Sequence, residues 1–163
     1  MTGVALPAAF ADLLTPALLV DRGRLQRNID TMAERYRSAG LALRPHIKTS
    51  KCWQVAERQL AAGAIGFTCS TSAEVGWLQD RGVTELLWAH QPVGPRKVEF
   101  VMAASQRGGL TIALDSVEAA EPISRAATST GISVKYLLEV DTGQGRAGVE
   151  PDDVVVRLSL IHI

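Results

Sequence analysis

The sequence predicts a parallel α/β fold built of about six strand–helix units, and three observations carry that prediction. Short apolar runs centred near Leu19, Leu43, Phe67, Leu87, Ile112 and Leu137 recur roughly every 20 to 25 residues. Between these runs the apolar residues fall at helical spacing. Glycines then close the helical stretches, at Gly40, Gly63, Gly82 and Gly131.

Taken in order, Met1 to Leu14 is a small, apolar lead-in, punctuated by Thr15-Pro16. Ala17 to Asp21 is a compact apolar run ending in a carboxylate, the pattern of a strand covered on both faces. From Arg22 the period changes, and Leu25, Ile29, Met32, Ala33 and Tyr36 mark a helix that stops at Gly40. The second unit is an extended Leu41 to Lys48 followed by a helix through Val55, Ala56 and Leu60. Pro45 cannot donate a ladder hydrogen bond, so this strand is expected to be irregular or to end near it. Ile65 to Cys69 begins the third unit, whose helix start is marked by Thr71 and Glu74 at capping-box spacing. Glu85 to Ala89 and Leu110 to Leu114 are the fourth and fifth strands. They are separated by a loop with Pro92, Gly94 and Pro95 and a helix carrying Val98, Val101 and Met102. Asp115 or Ser116 caps the next helix, which Pro122 should kink. Val134 to Val140 is the sixth strand and runs into a glycine-rich turn with Gly143, Gly145 and Gly148. A further helix is expected from Asp152 to Val156, while the closing RLSLIHI has neither cap nor polar end and reads as foreign to it.

Of 163 residues, 47% are hydrophobic and 21% charged, with 17 acidic side chains against 17 basic ones. That composition supports one ordinary globular core. A formal charge of zero offers no electrostatic case for nucleic acid or an anionic membrane, and both partners are disfavoured. Cys52 and Cys69 allow one bridge at most, and the first residues lack the basic start and sustained apolar run of a secretory leader. A reduced, cytoplasmic protein is the default expectation.

Chemistry concentrates in Leu41 to Cys52. In an extended chain successive side chains point to opposite faces, so Arg44, His46 and Lys48 are expected to share one face at a strand's carboxyl end. A basic row beside apolar neighbours asks for an anionic or carbonyl-bearing ligand, and a lysine there is a usable amine nucleophile. An amine so placed suits the aldehyde of pyridoxal phosphate. The competing reading is a lysine that snorkels to solvent. His46 could hydrogen-bond the cofactor or tune Lys48, or be a satisfied core histidine. Arg44 reads as an ion-pair partner beneath the site, to Glu139 or Asp141. Asp141 to Gly148, DTGQGRAG, is alone a weak phosphate-binding signal. His90 and Gln91, at the end of the fourth strand, read first as a solvated turn and second as ligand contacts. A hydroxyl or thiol of Ser70 or Cys69 could face the site, although the helix-cap role of Thr71 explains that segment adequately. His46, His90, Cys52 and Cys69 do not fall at zinc-site spacings, so no metal site is expected within this chain.

RPHIKTSKC, Arg44 to Cys52, stands in a chain that opens TPALLVD and later carries EVDTGQGRAGV. Together these motifs, spread from about Thr15 to Val149, resemble the D-threonine aldolase and D-serine dehydratase group, whose barrel domain is similar to that of alanine racemase. The resemblance implies a partial (β/α)8 TIM-type barrel over residues 15–163, with Lys48 holding pyridoxal phosphate and Arg146 facing the cofactor's phenolic oxygen. Eight such units usually need about 250 residues, so the later strands and the β-domain are expected outside this sequence. The group's phosphate ligands, and a divalent metal bound by His and Cys, belong to that missing region. The implied activity is a lyase acting on D-3-hydroxy amino acids, by Cα–Cβ cleavage as in the aldolase or by dehydration as in D-serine dehydratase. A racemase or a non-catalytic cofactor-binding protein on the same barrel are the remaining readings. The implied assembly is a homodimer of the full-length protein, and the fragment alone is expected to associate or dissolve poorly because its sheet edges lie open.

Overall fold

A computed structural model describes residue 10 and residues 12–151. The order of elements is α1 (Arg22–Ser38), α2 (Trp53–Ala61), β1 (Phe67–Cys69), α3 (Ser72–Gln79), β2 (Leu86–Trp88), α4 (Pro95–Gln106), β3 (Leu110–Leu114), α5 (Val117–Thr130) and β4 (Lys135–Leu138). The strands form a parallel sheet in sequence order, β1-β2-β3-β4. Each crossover is a helix, the arrangement that parallel pairing requires.

The register decides which face is core. Phe67, Leu86 and Leu110 stand in one cross-strand row, and Cys69, Trp88, Ile112 and Tyr136 in another. All of these except Tyr136 are almost completely buried, packed with Val75, Leu78, Val101, Ala104, Ala120 and Ile123 of the helices. Thr68, Leu87 and Thr111, in the row between, point to the opposite face and are only half-buried. Close approach at the strand entries depends on glycine. A Cβ on Gly109, whose φ is +75°, would collide with the Thr84 carbonyl, and one on Gly66 with the Glu85 carbonyl.

Several expectations are corrected or refined. Ala17 to Asp21 forms no strand: Leu18 is fully exposed and Val20 is 66% exposed. An apolar run becomes a strand only when a neighbour takes its backbone groups, and none does so here among the described residues. Asp21 instead caps α1, its carboxylate accepting from Arg24 N at 2.9 Å. Leu41 to Ile47 does run parallel to β1. Leu43 O accepts from Ile65 N, Pro45 O from Thr68 N, and Thr68 O from Ile47 N, at 2.8–2.9 Å. With Pro45 lacking a donor, the pairing reduces to the single bridge His46–Thr68.

Thr71 caps α3 as expected, its hydroxyl accepting from Glu74 N, but the Glu74 carboxylate reaches Ser70 N rather than closing the box on Thr71. Of the two candidate caps of α5, Ser116 takes the role, while Asp115 accepts from Gly148 N at 3.3 Å. The helix continues through Pro122 to Thr130. The expected helix over 152–156 and the RLSLIHI end lie outside the described residues.

Candidate active site

The cleft is built where a parallel barrel places its chemistry, beyond the carboxyl ends of the strands. Ser70 follows β1, Ala89 to Gln91 follow β2, and Glu139 follows β4. His46 and Lys48 end the extended segment beside β1. Together with Arg146 and Ala147 they line an open cavity of about 400 Å³, within the size range of small-molecule sites.

Lys48 lies in the turn that ends the extended segment, where Lys51 N donates to Ile47 O at 2.9 Å. Its side chain is exposed and has no hydrogen-bond or ion-pair partner among the described residues. His46 is held at both ring nitrogens. Nδ1 accepts from Lys48 N at 3.3 Å, which leaves Nε2 to donate to Ser70 Oγ, also at 3.3 Å. Partial burial holds its pKa below the ordinary value of 6.5, and the Lys48 charge adds to the effect against weaker opposition from Glu74. The imidazole is therefore neutral at pH 7, with the tautomer fixed by its neighbours.

Arg146 is carried by the loop after β4, and Asp141 organises that loop. Asp141 Oδ1 accepts from the backbone N–H groups of Gly143, Gln144 and Gly145 at 2.9–3.1 Å, and Oδ2 from Gly145 N at 2.9 Å. Donors converging on one carboxylate, those of Gly145 and Gly143 foremost, lower its pKa. The loop base closes through Asp141 N to Val149 O and Val149 N to Glu139 O, both at 2.9 Å. The glycines are required because Gly143, Gly145 and Gly148 all have positive φ. Arg146 thus reaches the cleft from a shaped loop, with its guanidinium unpaired among the described residues.

Arg44 departs from the expected row. Each extended residue advances about 3.3 Å, so Arg44 sits a full pleat nearer the amino end than His46. There it meets Glu85 at 3.6 Å, not Glu139 or Asp141. It borders a separate, largely apolar groove of about 470 Å³ between α1 and α2. Glu139 instead faces the cleft and accepts from Gln91 Nε2 at 2.6 Å. Gln91 and His90 are therefore cleft residues rather than only a solvated turn. Cys69 points into the core, where burial pushes its thiol up to about 12. No group of three or more His, Cys, Asp or Glu side chains among the described residues could hold a metal ion. No helix among them is long and apolar enough to cross a membrane.

The chain is 38% identical over 147 residues to D-threo-3-hydroxyaspartate dehydratase from Delftia sp. (strain HT23), covering 90% of this chain and 38% of that protein. It is 31% identical over 163 residues to D-threonine aldolase from Arthrobacter sp., covering 96% and 43%. The crystal structure of D-threonine aldolase from Filomicrobium marinum superposes with a TM-score of 0.86 at 36% identity, over 91% of this chain and 40% of that one. The chain thus spans about two fifths of the length of these relatives. Residues 20–162 match the model of the alanine racemase N-terminal domain, and the chain belongs to that family.

Proposed function

We propose that the chain is the cofactor-binding part of a pyridoxal-phosphate lyase that cleaves D-3-hydroxy amino acids between Cα and Cβ, giving glycine and an aldehyde. The observation that carries this reading is the meeting of His46 and Lys48 with Arg146, remote from both in sequence, around one cleft at the strands' carboxyl ends. The donor set fits the cofactor. An unpaired lysine amine suits its aldehyde, and an unpaired guanidinium suits its phenolic oxygen. When bound, pyridoxal phosphate supplies an electron sink for breaking bonds beside an amino group.

The chain's own residues divide the remaining work. Lys48 would provide the amine that holds the cofactor's aldehyde, and Arg146 would donate to its phenolic oxygen and keep it anionic. His46, neutral and fixed by Ser70, presents no competing positive charge beside Lys48. The Gln91–Glu139 pair closes the side of the cleft at the ends of β2 and β4. The barrel domain is assigned to residues 15–163. Its phosphate ligands and a divalent metal site are assigned to the part of a full-length protein beyond this sequence, as are the contacts of a homodimer. A cytoplasmic setting completes the reading.

Dehydration is the second reading, favoured by the 38% identity to a D-threo-3-hydroxyaspartate dehydratase. Both predict visible absorbance after incubation with pyridoxal phosphate, lost in Lys48→Ala. Full-length protein given D-threonine should release acetaldehyde and glycine; 2-oxobutyrate and ammonia would assign dehydration instead. A colourless wild-type protein would end both.

A further inference from the structure

We infer that Glu74 is a positioning residue of this site, holding Lys48 and His46 in place through Ser70 and Lys51; in its bearing on cofactor capture, the inference rests on the proposed function. Glu74 lies in the first turn of α3, outside the cleft, and is only 7% exposed. A buried carboxylate persists only where donors and cations compensate it. Its Oε2 accepts from Ser70 N at 2.7 Å, and its Oε1 lies 3.3 Å from Lys51 Nζ as an ion pair without hydrogen-bond geometry.

These contacts close a ring around Lys48. Ser70 Oγ meets His46 Nε2, His46 Nδ1 receives Lys48 N, and Lys51 N returns to Ile47 O. Lys51 holds φ at +43°, a conformation that a side-chain-bearing residue keeps only when its surroundings impose it. The Lys51 N to Ile47 O bond holds that backbone turn, and Glu74 adds an ion pair to the Lys51 side chain on one side while fixing Ser70 N on the other. A helix cap requires neither contact, because Thr71 Oγ already satisfies Glu74 N. The charged and titratable groups facing this ring are Lys48, Lys51, His46 and the Cys69 thiol, with His90, Glu139 and Arg146 across the cleft.

Two measurements on the purified protein test it. Borohydride reduction at timed intervals after adding pyridoxal phosphate, with peptide mapping, gives the rate of capture at Lys48. Imidazole NMR titration reports on His46 with no cofactor present. Glu74→Ala should slow capture by about tenfold or more, the scale of one lost charge-assisted hydrogen bond. It should also lower the pH at which His46 titrates, since the carboxylate favouring the protonated ring is gone. Glu74→Gln can still accept from Ser70 N, so it should recover much of the capture rate while His46 keeps the lowered titration. Wild-type capture and an unmoved His46 in Glu74→Ala would overturn the inference, and an unmoved His46 in Glu74→Gln together with wild-type capture in Lys51→Met would do so if Glu74→Ala fails to fold. A wild-type protein never labelled at Lys48 would instead overturn the cofactor reading, and the His46 titration would then decide the role of Glu74 alone.

Discussion

Trp88→Phe should destabilise the protein by about 3 kcal/mol, because Trp88 joins the core to the site with both parts of its ring. The residue is 1% exposed at the end of β2, edge-on to Phe100 with ring centroids 5.7 Å apart. Its Nε1 donates to Ser70 O at 3.1 Å. Phenylalanine removes that donor and leaves a partly buried carbonyl unpaired, a cost of about 1–2 kcal/mol. It also vacates roughly three heavy atoms of volume in a close-packed interior, worth about 1–2 kcal/mol more. For a domain of this size the sum lowers the melting temperature by about 6–12 °C. Far-UV circular dichroism with urea and thermal unfolding measures it. Because Ser70 positions His46, the His46 imidazole titration should also move. A variant within about 0.5 kcal/mol of wild type, the range of a neutral surface change, would show that Ser70 O is satisfied by other means and refute the reasoning.

Four further outcomes are expected. Gly109→Ala should cost about 2–5 kcal/mol in urea unfolding, since a Cβ there meets the Thr84 carbonyl and φ is +75°. The folded pKa of His46 lies below its unfolded value of 6.5, so its contribution to stability is complete above pH 6.5 and is lost as pH falls through the folded pKa. The denaturation midpoint of wild type relative to His46→Gln should therefore be constant above pH 6.5 and fall on the acid side. Iodoacetamide at pH 8 should modify the partly exposed Cys52 and spare the buried Cys69, whose thiol is pushed up to about 12, as peptide mass spectrometry would show. Asp141→Ala should leave the sheet intact but expose the amides of Gly143, Gln144 and Gly145 to rapid hydrogen exchange and weaken cofactor binding through Arg146.

The sequence by itself determined the repeating α/β plan and the residues that carry the proposed chemistry. Leu110 to Leu114 coincides with β3, the first helix starts at Arg22 where the period changes, and the helices after Thr71 and Ser116 start at their caps, because apolar period and capping are local properties. The motifs singled out Lys48, His46 and Arg146, and all three line the cleft. Only the tertiary structure decided pairing. Ala17 to Asp21 has the pattern of a strand yet finds no neighbour, since a strand is a relation between two segments. Arg44 shares an alternation with His46 but lies a pleat away and meets Glu85, and Glu139 turns to Gln91, because ion pairs follow distance in space. The spacing of Thr71 and Glu74 signalled a helix start. That the same carboxylate also binds Ser70 N and faces Lys51 depends on a turn brought alongside α3 by pairing with β1, which no local pattern encodes.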